Sequence, residues 1–241
     1  MGFGRSAWAV VAAVMLAACQ PVGTPAAGPA IAVMMPPLPD GPLTAEQAAR
    51  NFVAVVSRVE PVAEAMCRER NPGSNCDFQI VVDDRPGQPP NAFQTLDRAG
   101  RPIVGFTLAL IADARNVDEI AFVVGHETAH HIAGHIPQVQ RTATTGAVLA
   151  GVLAQASGAT PEAVRAAQQM GATMGARTYA RDFELEADAL GAEIAFRAGF
   201  DPLRGAAFFG RLPDPGDQFL GSHPPNAQRQ EIVRRVVAGL R

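Results

Sequence analysis

Lysine does not occur in this chain, so at neutral pH its positive side-chain charge is carried by 20 arginines. That absence excludes a P-loop lysine on a nucleotide phosphate, a lysine Schiff base and a Ser-Lys catalytic dyad. Aromatic residues are few, with one tryptophan and one tyrosine among 241 residues, and the net charge is only −3. No basic patch stands out, so no nucleic-acid partner is expected. Long apolar runs are also missing: Ala7 to Ala18 and Gly146 to Leu153 both fall short of the roughly 20 residues a spanning helix needs. What remains is 48% hydrophobic, enough for one globular domain with a substantial core.

Histidine is scarce too, at five residues. Four of them, His126, His130, His131 and His135, nevertheless fall in one short run. The run contains a single H-E-x-x-H. On a helix, His126 and His130 point about 40° apart, so two imidazoles can close on one metal ion, while Glu127 stands at roughly 100°, beside that ion. Two nitrogen ligands and a carboxylate placed to take a proton from an attacking water are what a zinc hydrolase requires. The surroundings read as a core helix over about Val117–His135. Asp118 and Glu119 precede an apolar run, and Gly134 and Pro137 supply a stop. Imidazoles and a carboxylate buried there would be costly without a metal or a hydrogen-bond network.

A third ligand is sought in Arg181–Gly191. Glu184 and Asp188 share a helical face, whereas Glu186 points about 200° from Glu184. Glu184 can therefore bind the metal while Asp188, one turn on, accepts the spare ring N–H of a ligand histidine. Glu184 is preferred to Glu186 because only it has a same-face carboxylate at that spacing.

The order of motifs resembles the HtpX and CAAX prenyl protease family of zinc metallopeptidases, of gluzincin type. The residues that carry this are His126 to His130, Glu184-x-x-Ala187-Asp188, Ser222-His223-Pro224-Pro225 with Arg229, Asn91-Ala92-Phe93, and Pro61-Val62-Ala63-Glu64 with Cys67. Within the family the chain is most similar to small soluble periplasmic lipoprotein members of the BepA and LoiP kind; the membrane-spanning helices of the namesake enzymes are absent. The resemblance implies an α+β, mostly helical zincin-like metallopeptidase domain over residues 44–241, with a small β-sheet beside the active-site helix and one Zn²⁺. It implies a substrate lying along the edge strand at Asn91, Ala92 and Phe93, and Arg229 either anchoring a loop or touching substrate. It leaves two roles for His223, as a donor to the oxyanion or as a fourth metal ligand that keeps the enzyme latent. His135 is common in the family and reads as a structural hydrogen-bonding residue. His131 reads as exposed, and Tyr179 as helix packing.

The N-terminus reads as an address. A charged start, the apolar stretch Ala7–Ala18 and the sequence Leu16-Ala17-Ala18-Cys19 describe a signal peptide over residues 1–18 that ends like a bacterial lipobox. Cys19 is then the lipidated residue, and Gln20 after it favours the outer membrane, facing the periplasm. Residues 19–43 are rich in Pro, Gly and Ala and form a linker whose flexible span is about 25 to 30 Å. Cys67 and Cys76 are expected to form a disulfide in an oxidising compartment, since no C-x-x-C spacing or nearby histidine suggests a metal.

Further elements follow from patterning. A capping box at Thr44 opens a helix to about Val59, and Pro61 starts a second stretch ending near Arg70. Strands are expected over 78–82, 91–95 and 101–106. Close-packed Ala/Gly helices are expected over 142–175, and further helices over 178–198 and 226–238. Three functions fit: a zinc endopeptidase acting on unfolded or misfolded envelope proteins, a chaperone-like assembly factor with latent proteolysis gated by His223, and a hydrolase of a non-peptide amide in the cell wall. Intact Glu127, His126, His130 and Glu184 favour the first, and the lack of a wall-binding module disfavours the third.

Overall fold

The computed structural model describes residues 43–214 and 224–240. The signal peptide, Cys19, nearly all of the linker, and His223 lie outside the described residues. The element order is α1 (Ala45–Arg70), β1 (Gln79–Asp83), β2 (Ala92–Leu96), β3 (Pro102–Thr107), α2 (Leu108–Asp113), α3 (Val117–Ile132), α4 (His135–Ala156), α5 (Pro161–Arg177), α6 (Ala180–Arg197), α7 (Pro202–Ala206), a 3₁₀ turn (Ala207–Arg211) and α8 (Asn226–Leu240). The fold is the expected one, mostly helical with one small sheet.

Thr44 caps α1 through the capping box, its hydroxyl accepting from the Gln47 amide while the Gln47 side chain accepts from the Thr44 amide. The two helical stretches expected around Pro61 are a single helix. Pro61 sits on the exposed side, where the carbonyl its ring leaves without a partner can turn to water. Ala48, Phe52, Val55, Val59, Ala63 and Met66 form the buried stripe of α1. The last turn is tied to the chain entering β1 by a disulfide between Cys67 and Cys76.

The sheet order is β1-β3-β2, with β1 parallel and β2 antiparallel to β3. β3 is therefore central and largely buried, and β2 is an edge. The pairs Asn91 with Thr107 and Asp97 with Arg101 carry ladder hydrogen bonds. By the alternation of an antiparallel pair, the N–H and C=O groups of Ala92, Gln94 and Leu96 point away from β3.

Helix α3 runs through the core, with Ala121, Phe122 and Val124 fully buried. Its N-terminus is capped by Asn116, whose side chain accepts from the Asp118 and Glu119 amides. The acids expected to lead this helix are themselves buried. Asp118 pairs with Arg204 at 2.9 Å, and Glu119 is held by Arg211 at 2.5 and 2.7 Å, which fixes α7 and the 3₁₀ turn against α3. α3 ends at Ile132, earlier than expected: Gly134 adopts φ 68°, the left-handed region a glycine enters without a Cβ clash, and α4 starts at His135. Pro137 is therefore not a stop. It lies in the first turn of α4, where a missing N–H costs nothing.

Candidate active site

The crossing of α3 and α6 builds the site. A Cβ on Gly125 would lie 2.6 Å from the Gly191 carbonyl oxygen, and one on Gly191 would lie 2.7 Å from the His126 amide nitrogen. The two backbones can approach this closely only because both residues lack side chains. That approach brings Glu184 and Asp188 on α6 within reach of His126 and His130 on α3. His126 Nε2 stands 3.6 Å from one Glu184 oxygen and His130 Nε2 stands 3.4 Å from the other, while the two Nε2 atoms are 3.1 Å apart. Ligand bonds of about 2.0 to 2.1 Å in a tetrahedral site put ligand atoms about 3.3 Å apart, so the three residues fit one Zn²⁺. Among the described residues they are the only such group of histidine, cysteine or carboxylate ligands.

Both imidazoles are oriented from behind. His126 Nδ1 is 2.9 Å from Asp188 Oδ1, and Asp188 is fully buried. The Nδ1–H is thus committed to the carboxylate, and the Nε2 lone pair is left for a cation. His130 Nδ1 is 2.8 Å from His135 Nδ1, and His135 Nε2 is 3.2 Å from Glu186. A consistent proton order runs from His130 Nδ1–H to His135 Nδ1, and from His135 Nε2–H to the carboxylate. Two Nε2 lone pairs then face each other at 3.1 Å, an arrangement that calls for a cation between them. Phe183 stacks on His135 at 4.5 Å and holds the ring in place. His131 is directed elsewhere, its Nε2 lying 2.7 Å from the Asn75 carbonyl.

Arg229 stands beside His126, its Nη2 3.4 Å from Nδ1. Its Nε and Nη2 donate to the two Asp188 oxygens, each at 2.7 Å, and its guanidinium lies 3.7 Å over the Phe209 ring. Arg229 is buried and faces acids: it pairs with Asp188, its Nη2 also stands 3.5 Å from Glu184, and it is not among the residues that line the cleft. Glu186, set aside as a ligand, stands behind His135.

Glu127 lines an open cleft of about 480 Å³ with Gln94, His130, Phe183 and Glu184. Burial drives its carboxyl above the ordinary range, with His126 and His130 working against the shift. Burial pushes the His126 imidazole down, but the Asp188 hydrogen bond and charge, with Glu184, outweigh it and hold it above its ordinary value. Burial lowers His135, against the pull of Glu186. Of the edge residues expected from the sequence, Ala92 turns its backbone N–H and C=O away from β3. Asn91 precedes the strand and bonds Thr107, and the Phe93 ring covers Gly105. Gln94 was not foreseen: it lines the cleft, and its Oε1 is buried with no hydrogen-bond partner among the described residues. The period of two along the strand, starting from Ala92, would have pointed to it.

A helix bearing H-E-x-x-H, crossed by a second that supplies a glutamate and an orienting aspartate beside a short sheet edge, defines a metallopeptidase. The sequence comparisons agree. Residues 51–237 match Peptidase family M48, and the chain belongs to that family. It is similar to a Vibrio cholerae protein named "Putative beta-barrel assembly-enhancing protease", 35% identical over 123 residues that make up 48% of this chain and 25% of the relative. It is also similar to the Arabidopsis thaliana protein named "Mitochondrial metalloendopeptidase OMA1", 30% identical over 138 residues, or 56% of this chain and 27% of the relative. The matches thus span only about a quarter of the length of either relative.

Proposed function

We propose that this chain is a zinc-dependent endopeptidase that cuts unfolded or misfolded polypeptides in the bacterial cell envelope. One observation carries the reading: His126, His130 and Glu184 converge on one point, with Glu127 beside them in a cleft bordered by the free edge of β2. Zn²⁺ held by the three residues would polarise the scissile carbonyl and make the attacking water more acidic. Glu127 takes that water's proton and passes it to the leaving amine. Burial, which raises its proton affinity, suits it to both transfers. Asp188 and His135 keep the ligand imidazoles in the tautomer that presents Nε2, and Arg229 holds Asp188.

The substrate lies as an added strand against Ala92, Gln94 and Leu96, whose outward N–H and C=O groups read main chain and not side chains. Gln94 lines the cleft beside that edge. Such recognition suits extended segments of many sequences. Lipidation at Cys19 and the linker after it would hold the domain at the outer membrane, within reach of such clients.

The test is hydrolysis of an unfolded protein by the zinc-loaded chain and by its Glu127→Gln variant. Loss of the general base lowers turnover by about 10²- to 10⁴-fold with zinc content unchanged. Equal cutting by both proteins, or no cutting by a wild type that holds its zinc, overturns the proposal.

A further inference from the structure

The α4–α5 hairpin carries an arrangement that the active site does not use. Its helices meet through small residues. A Cβ on Gly146 would lie 2.1 Å from the Gly171 carbonyl oxygen, one on Gly171 would lie 2.2 Å from that of Gly146, and one on Gly175 would lie 2.1 Å from that of Thr142. The large apolar side chains are left outside. Val148, Leu149, Val152 and Leu153 on α4 are 56, 59, 58 and 70% exposed, and Met170 and Met174 on α5 are 66 and 55% exposed. A hairpin in water turns its large apolar side chains inward. Small residues inward and large ones outward is how helices pack in lipid.

Leu149, Val152, Leu153, Met170 and Met174 share one face, with Val148 at its margin. At 100° per residue the α4 stripe is turned about 145° from α5, and the two methionines about 110° from α4, in the same rotational sense along each helix. Because the helices run antiparallel, equal senses bring both stripes to the same side of the hairpin. Thr144, Glu162 and Arg165 fall on the opposite side, where Glu162 and Arg165 pair at 2.9 Å. No charged side chain occurs from Thr142 to Pro161. Arg141 and Arg177 stand at the base of the apolar side, both exposed, and neither pairs with an acid among the described residues.

We propose that this face of the hairpin lies in the surface of a phospholipid bilayer. Its Val, Leu and Met side chains sit below the headgroups, with Arg141 and Arg177 on anionic phosphates. This is a second membrane contact, separate from any lipid on Cys19. No described helix is long and apolar enough to cross a membrane, so the hairpin lies in the plane of the interface, its apolar side about 5 to 10 Å deep. Charge decides between lipid and a second copy of the chain. The face carries two cations and no acid, so a copy seated on it offers the arginines no counter-charge, whereas phosphates do.

The test uses the full chain with Cys19→Ser and Val152→Cys. The new thiol is then the only free one, since Cys67 and Cys76 are bonded to each other, and it is labelled with the polarity-sensitive dye NBD. With phosphatidylethanolamine/phosphatidylglycerol vesicles the emission shifts to the blue and is quenched by a nitroxide on the lipid chains. The same dye at Thr144→Cys, on the polar side, keeps its emission in water. Adding Arg141→Gln and Arg177→Gln lowers vesicle affinity about thirtyfold at low salt. A Val152→Cys probe that stays in water beside vesicles overturns the proposal, whether or not the N-terminus holds the chain to them. So does a blue shift that grows with protein concentration without lipid, which would mark a second copy, or one that needs an added unfolded protein, which would mark a client.

Discussion

At the residue scale, the site is a set of paired commitments. Each ligand imidazole spends its Nδ1–H on a partner, so each presents Nε2 in one tautomer, and the two partners differ. Asp188 is buried and clamped by a two-pronged Arg229, whereas His135 leans on an exposed Glu186. Asp188→Ala is therefore expected to lower zinc affinity about 10- to 100-fold, and His135→Ala to lower it toward the smaller end of that range. Zinc competition with a chelator measures both, and equal affinity in all three proteins would contradict the assignment. Glu60 supplies a pH test away from the metal. Burial raises its carboxyl above the ordinary value of 4.5, Glu64 and Asp77 push the same way, and Arg101 partly opposes them. A carboxyl with a raised folded-state pKa holds its proton longer in the folded than in the unfolded chain. Stability is therefore lost as pH rises from 4.5 through the folded value, and the cost persists above it. Glu60→Gln is expected to raise Tm at pH 7, with the gain vanishing as the pH falls below 4.5.

At the scale of elements, the crossing of α3 and α6 decides whether a site exists. Its two glycines meet backbone to backbone, and no side chain can be added without moving α6 and with it Glu184 and Asp188. Gly191→Ala is expected to cost about 1 to 3 kcal/mol of stability and to weaken zinc retention. Denaturant unfolding with metal analysis of the same samples checks this. Gly73→Ala, where a Cβ meets nothing within 4 Å, is the control and should change neither. The H-E-x-x-H and the i, i+4 spacing of Glu184 and Asp188 were legible along single helices, because helix geometry alone puts such residues on one face. The helix ends were less so. Pro61 and Pro137 both read as punctuation, yet one lies inside α1 and the other in the first turn of α4, since what a proline does depends on whether its N–H was needed.

At the scale of the whole molecule, a short sheet and a long first helix are wrapped around α3, and the disulfide ties the end of that helix to the sheet. The pair Cys67→Ala/Cys76→Ala is expected to lower unfolding stability by about 2.5 to 3 kcal/mol, through the loop of nine residues it no longer closes. Zinc content in folded protein should be unaffected, because neither cysteine touches the metal ligands. Unfolding curves with and without reductant check the first part, and metal analysis the second.

The sequence by itself determined which groups lie together locally and most of the elements: two histidines and a glutamate on one helix, a glutamate and an aspartate one turn apart on another, a capped first helix, three short strands and a cysteine pair close enough to bridge. These are local properties, set by periodicity and by the reach of a few residues. Only the tertiary structure decided how the separate pieces meet: that Gly125 and Gly191 let the two helices touch, that Arg229 is spent on Asp188, that His135 and Glu186 stand behind His130, and that Gln94 faces the cleft from the sheet edge. Contacts such as Arg229 with Asp188, 41 positions apart, and His135 with Glu186, 51 apart, depend on helix crossings, and no spacing along the chain encodes those.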